Sequence, residues 1–409
     1  MTGVRAETEL ARRWMVLSEE AAMEGNLSGD GSEPLAKATE NNLMPGAVQQ
    51  SRHELHWAAR NGNTHRVKQL LKQGAATESR DENGWTLLHA ASLNGYAILV
   101  KFLIQRGALV SAGNDVGYTP LHHAAWSGHT QVAEILVARG APVMASTGKG
   151  LTPLHHAAAN GHTLMTQLLL RRGADPAGVD CNQWAALHWA TANNQLHIMD
   201  LLTSQGVSPN LGSKGGITPL HIAAELGRTR TLRLLLAQGA DVNVQDGLGR
   251  TALSIASNNG SYEIVKQLLQ SQAEVNLADR YGCTALHKAA TAGHLLTVQL
   301  LVEGGAAGVN GRDSLGLTPL HRAANCGHGH VAGYLLERGA EVNAAGWLAK
   351  TPLHLAAEKR HVALMELLLA NGANRKLRTR WKETAKELAS EASISGPPQT
   401  HLTFTSTVS

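Results

Sequence analysis

Apolar and polar residues follow one another along most of the chain in pairs of short helical patterns, each closed by a glycine. In the stretch TPLHHAAWSG the first pattern lies between Thr119 and Gly128, and the second pattern of a later copy carries Val265, Leu268 and Leu269. Threonine is a favourable helix N-cap, proline fits the first helical position, and glycine accepts the left-handed backbone that ends a helix. The pattern therefore predicts a helix-turn-helix unit.

The unit recurs with a period of 33 residues, apart from one step of 34 between residues 284 and 318. The eleven copies, of which the last is truncated, begin at residues 53, 86, 119, 152, 185, 218, 251, 284, 318, 351 and 384. We expect the extra residue, within the segment GGAAGVN, to lie in a loop, where an insertion costs least. One unit buries too little apolar surface to offset the entropy of ordering its backbone, so neighbouring units must share a core as in a solenoid.

These residues resemble the ankyrin repeat, which has this period and the signature T-P-L-H-x-A. The resemblance covers roughly residues 50 to 390, and it implies an all-α repeat solenoid of about 10–11 helix-turn-helix units joined by β-hairpin-like loops. We assign the repeats to residues 50–391. The composition of the flanks predicts disorder for residues 1–49, with one short helix at 11–23, and for residues 392–409.

Two internal repeats depart from the pattern, and we expect them to be the least stable. The departures are Ala185 and Ala186 for Thr-Pro, Asn194 for the first glycine and Thr203 in an expected core position of repeat five, with Ser254 for the motif histidine and Gln272 for the closing glycine of repeat seven. The loss of an N-cap costs roughly 1 kcal/mol. In an array of neighbouring contacts such losses stay local.

The histidines follow the period. The fourth motif position is histidine in nine repeats, at 56, 89, 122, 155, 188, 221, 287, 321 and 354, and five more follow the first glycine, at 129, 162, 294, 328 and 361. The resemblance implies that the motif histidine bridges backbone groups of adjacent turns, a structural role. His123 and His156 fall outside these framework positions.

Three segments imitate catalytic or metal-binding motifs without meeting their requirements. HELHW, at residues 53–57, spaces its histidines by three residues where a zinc-binding helix needs four, and CGHGH, at 326–330, lacks a fourth ligand. ASTGKG, at 145–150, lacks the first glycine of a phosphate-binding loop and has Gly150 where that loop needs a serine or threonine. We predict no catalytic residue, no metal site and no cofactor.

Composition narrows the function classes further. A net charge of +4 over 409 residues makes nucleic acid an unlikely partner, and three distant cysteines offer no disulfide framework. The chain begins without a signal-peptide pattern, and no apolar run approaches the ~18 residues of a membrane span. We expect a monomer in the cytoplasm and/or nucleus that does not associate with membranes.

The positions that the framework leaves free are the candidates for binding. They are the residue before each motif threonine, the residue after the motif histidine and the end of the first helix; in ankyrin-like repeats they line the concave face. Five of the eight tryptophans occupy such positions, and Trp and Tyr are enriched in binding hot spots. The predicted partner-binding residues are Trp57, Trp85, Leu93, Tyr118, His123, Trp126, Leu151, His156, Trp184, Trp189 and Ile217.

Two further sites are predicted in the C-terminal part of the chain. A basic cluster comprises Arg375, Lys376, Arg378, Arg380 and Lys382. The resemblance also implies that Asn243, Asn276 and Asn343, within leucine-spaced D/E-V-N segments, are substrates of asparagine hydroxylases. The leading hypothesis is a non-catalytic protein-binding scaffold or adaptor; the alternative is nucleic-acid or acidic-surface binding through the basic cluster.

Overall fold

The computed structural model describes residues 45–394, which form 21 α-helices and no β-strand. These residues belong to two compact bodies. The N-terminal body takes the described residues up to Leu226 together with Ala237–Ala240, and the C-terminal body takes Gly227–Leu236 and the described residues from Asp241 onward. The fold class is an all-α repeat solenoid, as the period predicted.

The helices alternate between a first and a second helix of each repeat. The first helices are α1 (Pro45–Arg60), α3 (Leu87–Leu93), α5 (Pro120–Ser127), α7 (Pro153–Ala159), α9 (Ala186–Ala192), α11 (Pro219–Glu225), α13 (Ala252–Asn258), α15 (Ala285–Ala292), α17 (Pro319–Cys326), α19 (Pro352–Glu358) and α21 (Ala385–Ile394). From repeat two onward, each begins one residue after the expected motif start. The threonine there has extended backbone, as an N-cap requires.

The second helices are α2 (Thr64–Lys72), α4 (Ala97–Gln105), α6 (Thr130–Ala138), α8 (Thr163–Arg171), α10 (Leu196–Ser204), α12 (Thr229–Ala237), α14 (Tyr262–Gln270), α16 (Leu295–Gly305), α18 (Gly329–Glu337) and α20 (Val362–Ala370). The core between the helices consists mainly of leucine, valine and alanine. In repeat three, for example, Leu121, Ala124, Ala125 and Leu136 are fully buried. Small alanines on the first helices allow neighbouring repeats to pack closely.

The loops between repeats are hairpin-like turns. In each, a backbone N–H donates to the carbonyl four residues later, as from Asp81 to Trp85 at 2.9 Å. Isolated antiparallel bridges occur at two of them, Arg80 with Thr86 and Val179 with Ala185. Successive hairpins are joined at their tips, where the N–H of Cys181 donates to the carbonyl of Lys149 at 3.0 Å.

The structure differs from the sequence expectation at three points. Helix α1 starts at Pro45, ahead of the expected boundary at residue 50. The extra residue of the 34-residue step does not lie in a loop: α16 runs for 11 residues where most second helices have nine, and Ala306 then ends it with a left-handed backbone. Thr203 is not in a core position but half-buried, and its hydroxyl donates to the carbonyl of Met199 at 2.9 Å.

The expectations for the flanks lie mostly outside the described residues. The helix at 11–23 and the disordered segments are not covered, apart from residues 45–49, which belong to α1, and residues 392–394, which end α21.

The weakened repeats keep part of their hydrogen bonding. The N–H of Ala185 still donates to His188 Nδ1 at 3.1 Å, although alanine lacks the threonine hydroxyl. Ser254 and Thr251 exchange two hydrogen bonds, at 3.1 and 3.2 Å, within their own repeat. Asn194 and Gln272 adopt positive φ angles of 60° and 62°, where glycine costs least.

We predict that backbone amides exchange fastest, among internal repeats, near residues 185–210 and 251–275. Restoring the cap with Ala185→Thr and Ala186→Pro should slow exchange in the first region by stabilising it by about 1 kcal/mol. Hydrogen exchange followed by mass spectrometry checks both statements, with residues 119–138 of repeat three as the internal reference. Uniform protection from repeat two to repeat ten would contradict the prediction.

Candidate protein-binding surface

The motif histidines hold the first helices in place through hydrogen bonds at both ring nitrogens. In repeat three the N–H of Thr119 donates to His122 Nδ1 at 3.0 Å, and His122 Nε2 lies 3.0 Å from the carbonyl oxygen of Leu151 in the next repeat. The same pair of bonds recurs at His89, His155, His188, His287 and His321, and at His354 the acceptor of Nε2 is the carbonyl of Leu377, earlier in the following loop. The expected bridging role of these histidines is therefore confirmed.

These contacts determine the protonation state of the motif histidines. A backbone N–H can only donate, so Nδ1 must carry the lone pair and Nε2 must carry the hydrogen that it donates to the next repeat. Burial, the main cause, lowers the pKa of His122 to about 4, against the opposing effect of hydrogen bonds to Leu151 and Ala145. The ring is therefore neutral at neutral pH.

The histidines that follow the first glycine form a second set of bridges, in the opposite direction. His162 Nε2 lies 2.8 Å from the carbonyl oxygen of Trp126, at the end of the preceding first helix, and His328 makes the same contact with Thr291 at 3.0 Å. The glycine of the preceding repeat makes room for this ring. Gly128 has a φ of 76°, and a Cβ there would lie 2.5 Å from His162 Nδ1.

The predicted partner-binding residues of repeats two to four pack against one another. The ring centroids of Trp85 and His123 are 4.2 Å apart, and Tyr118 lies between His123 and His156 at 5.6 and 5.4 Å. Trp126 closes the series at 5.3 Å from His156. We call these five residues the aromatic ladder. The positions of these side chains therefore depend on contacts between neighbouring repeats as well as on the repeat period.

The eleven predicted residues differ greatly in exposure. Trp57 is 57% exposed, and Trp85, Leu93, Tyr118 and Trp126 are half-buried. The buried ones are His123, Leu151, His156, Trp184, Trp189 and Ile217. Trp184 and Trp189 cover each other with ring centroids 5.4 Å apart. Six of the eleven are therefore not free side chains, and only the other five present surface to a partner.

Three buried nitrogens on this face have no hydrogen-bond partner. They are His123 Nε2, His156 Nε2 and Trp189 Nε1. Burial, reinforced by the neighbouring histidines, lowers the pKa of His123 and His156 well below 6.5. An unpaired buried polar atom costs about 1–3 kcal/mol. Seven motif histidines have a hydrogen-bond partner at both ring nitrogens, whereas these three side chains each leave a buried nitrogen unpaired, as does Nδ1 of the motif histidine His56.

The C-terminal body places ion pairs at the positions where the N-terminal body has aromatic rings. The guanidinium of Arg250 contacts Asp246 at 2.6 Å, and the Lys288 ammonium contacts Asp279 at 2.7 Å. These aspartates precede the hairpin tips and are almost completely buried. These pairs were not predicted from the sequence. The sequence signal that could have revealed them is an aspartate four or nine residues before a basic residue that occupies a position not used by the repeat framework.

A third ion pair, between Arg322 and Asp313, shows how such an aspartate stays charged. Burial alone would raise the pKa of Asp313, but the N–H of Leu317 and the Arg322 guanidinium bring it below its ordinary value. Cys283 lies beside this pair, with its Sγ 3.7 Å from Arg322 Nη2, and burial raises the pKa of the thiol.

The two other predicted sites lie in the C-terminal body. The basic cluster belongs to the last hairpin, and all five of its side chains are exposed. Arg378 also contacts the carbonyl of Lys382 and, at 3.7 Å, Glu387.

The predicted hydroxylation sites tie one hairpin to the next. Asn243 Oδ1 accepts the N–H of Glu274, and Asn343 Oδ1 accepts the N–H of Asn374, both at 2.8 Å. Asn276 Oδ1 accepts the N–H of Gly308 at 3.0 Å. Asn310 occupies the corresponding place and was not predicted, because Gly308 stands where the D/E-V-N pattern needs an acidic residue.

Two negative findings apply to the described part of the chain. Among residues 45–394, no three His, Cys, Asp or Glu side chains are placed to hold a metal ion. Within the same residues, none of the helices has the length and apolar character needed to cross a membrane.

The helix pairs, hairpins and histidine bridges define a helical-repeat protein. A family model described as ankyrin repeats (3 copies) matches residues 55–147, 140–213, 198–279, 253–346 and 305–380. The chain belongs to the ankyrin-repeat family. A comparison with curated proteins finds no match to this sequence. Ankyrin repeats are protein–protein interaction modules, and proteins built from them are typically non-catalytic.

Because the buried histidines are neutral, we predict that the protein loses stability in mild acid. Burial lowers the pKa of five of them to about 4, namely His56, His89, His122, His188 and His321. A histidine of the unfolded chain has a pKa of about 6.5. At pH values between the folded and the unfolded pKa, the unfolded chain therefore binds more protons than the folded chain. The free energy of unfolding should then fall as the pH falls from 6.5 toward 4, by up to about 1.4 kcal/mol per pH unit for each histidine.

Urea unfolding at several pH values across this window measures the slope. His122→Gln keeps one acceptor and one donor but removes a titrating group, so its slope should be flatter by about one proton. His197→Gln, which changes an exposed histidine, is the matched control and should leave the slope unchanged. Equal slopes in both variants would contradict the role assigned to the bridges.

Proposed function

We propose that the protein is a non-catalytic scaffold or adaptor that binds a protein partner through its N-terminal body. The binding surface is the one that carries the aromatic ladder, which we call the aromatic face. The observation that carries the proposal is the aromatic ladder. Its members occupy positions that the helix pairs do not need, in a chain with only 4% aromatic residues. Trp57, Trp85, Leu93, Tyr118 and Trp126 together offer accessible apolar surface with aromatic hydrogen-bond donors, the composition of binding hot spots.

The ladder also supports the proposal by its rigidity. Trp85 and Tyr118 contact His123 on either side, and neither indole nor phenol ring needs to be ordered by the partner. A preorganised aromatic surface loses little side-chain entropy on binding. The unpaired nitrogens of His123 and His156 are buried. The surface that the ladder offers to a partner is therefore the accessible area of its tryptophan and tyrosine rings.

We predict that Trp85→Ala combined with Trp126→Ala abolishes capture of the partners that the native chain binds. Both side chains are half-buried, and their loss removes the two ends of the accessible ladder. The measurement is affinity purification from cell extract with quantitative mass spectrometry. Trp184 is unsuitable for this test because it is 2% exposed and its removal would leave a cavity.

Leu164→Ala is the matched control in the same body, because Leu164 is 71% exposed outside the ladder. Thermal unfolding must show that both variants fold. Proteins recovered with the native chain and the control, but not with the double variant, support the proposal. Identical recovery from all three chains would exclude the aromatic face as the binding site.

We also propose that Asn243, Asn276 and Asn343 are substrates for asparagine hydroxylation. Their side-chain amides lie on the loops between repeats, where the backbone is more accessible than in the helices. Because Asn243 and Asn343 hold the next hairpin through hydrogen bonds, the modifying enzyme must act on a locally opened repeat. Peptide mass spectra of the protein from cells should show the added mass of one oxygen atom on these residues. Its absence from all three would end this proposal.

A further inference from the structure

The tips of the last five hairpins present a row of exposed apolar side chains in the C-terminal body. The tips are residues 247–249, 280–282, 314–316, 347–349 and 380–382. We call the following residues the tip row: the exposed Leu248, Tyr281, Leu315, Trp347 and Trp381, and the half-buried Leu348. Tyr281, Trp381 and Trp347 are 63%, 59% and 55% exposed, so the row is a surface and not a part of the core.

The repeat framework does not require this row. The five matching tips of the N-terminal body, residues 82–84, 115–117, 148–150, 181–183 and 214–216, carry one large aliphatic side chain, Val116, and no aromatic one. Both bodies are built from the same hairpin turn. The apolar tips are therefore a property of this part of the chain, and contiguous exposed apolar surface marks an interaction site.

Backbone hydrogen bonds join three of the four pairs of neighbouring tips. The N–H of Arg280 donates to the carbonyl of Leu248, and the N–H of Ser314 donates to that of Tyr281, both at 2.9 Å. The N–H of Arg380 donates to the carbonyl of Leu348 at 2.8 Å. The row is therefore fixed to the spacing of packed helices, about 8–10 Å from one repeat to the next.

The fourth tip adopts an unfavourable backbone that keeps two large side chains in the row. Leu348 and Ala349 have φ angles of 56° and 55°, whereas the first three tips end in a glycine with positive φ such as Gly282, and the fifth ends in Lys382 with a φ of 65°. Side chains other than glycine rarely adopt this conformation without a reason. Trp347 lies at this tip, and Lys350 Nζ lies 5.9 Å from the centre of the Trp381 ring.

The tips are positively charged. They include Arg280, Arg380 and Lys382 but no aspartate or glutamate. The aspartates that precede three of the tips are neutralised by buried or half-buried ion pairs, as between Asp279 and Lys288. An exposed basic and apolar row favours a partner that carries both carboxylates and apolar groups.

We propose that the tip row binds an extended segment of a protein partner, with apolar side chains at every third residue and carboxylates between them. A polyproline II segment has three residues per turn and rises about 3.1 Å per residue, so every third side chain lies on one face, about 9.3 Å apart. That distance matches the spacing of the tips. A β-strand, which brings side chains to one face at about 6.8 Å, does not match. The inference rests on the proposed protein-binding function and specifies a second surface for it.

The test uses the full chain and a fluorescent twelve-residue peptide of four Leu-Pro-Glu repeats. Fluorescence anisotropy should show saturable binding, while a peptide of the same composition with its leucines grouped together should bind at least tenfold more weakly. The variant Tyr281→Ser, Leu315→Ser, Trp381→Ser should weaken binding at least tenfold. The matched control, Val116→Ser with Val179→Ser, removes exposed apolar side chains of the N-terminal body and should bind as the native chain does.

A charge-reversed variant keeps the test independent of any change in folding. Arg280→Glu with Arg380→Glu should lose the Leu-Pro-Glu peptide and gain binding to the matching Leu-Pro-Lys peptide. Four results would overturn the inference: no saturable binding up to about 1 mM, equal binding by the tip variant, no change of preference on charge reversal, or tighter tip-dependent binding of a twelve-nucleotide oligothymidylate. The variant Trp85→Ala with Trp126→Ala tests the proposed function separately. If it loses its cellular partners while any of these four results is obtained, the inference about the tip row is refuted and the proposed function is still supported.

Discussion

In seven repeats the motif histidine connects the backbones of two successive repeats through a single imidazole ring. His122 accepts a hydrogen bond from Thr119 at the start of its own helix and donates one to Leu151 at the next hairpin. One repeat cannot bury enough apolar surface to fold alone, so a directional contact with the next repeat is as necessary as the shared leucine core. The ring performs this task only while it is neutral. The fold therefore depends on burial, which prevents the neutral ring from binding a second proton.

Much of the fold could be predicted because the period expresses local rules that hold for every copy. An N-cap threonine, a proline at the first helical position and a glycine after the last turn each act within a few residues. Helix starts followed from these rules, whereas the histidine bridges were expected from the resemblance to the ankyrin repeat. The end of α16 did not, because an inserted residue can either extend a helix or lengthen a loop, and only packing decides between them. Thr203 was misplaced for a related reason: its helical position lies at the edge of the core, where a hydroxyl reaches a backbone carbonyl.

The candidate sites were less predictable than the fold. Sequence position identified which side chains the framework does not use, but their exposure depends on what the neighbouring repeat contributes. Trp184 is covered by Trp189, five residues further along the chain, whereas Trp57 remains exposed. The ion pairs of Asp246 and Asp279 were missed for the same reason. One backbone position thus supports an aromatic contact in one body and a buried ion pair in the other, so a period alone does not define a binding surface.

The position of the single 34-residue step shows where this chain tolerates a change in length. The extra residue lies at the end of α16, and the next bridge, from His287 Nε2 to the carbonyl oxygen of Leu317, is formed at 3.1 Å across 30 residues of chain instead of 29. An insertion at that point therefore leaves both ends of the bridge in phase. An insertion between a motif threonine and its histidine would instead turn the ring away from its acceptor. The end of the second helix is consequently the natural junction for adding, removing or exchanging segments of such a chain.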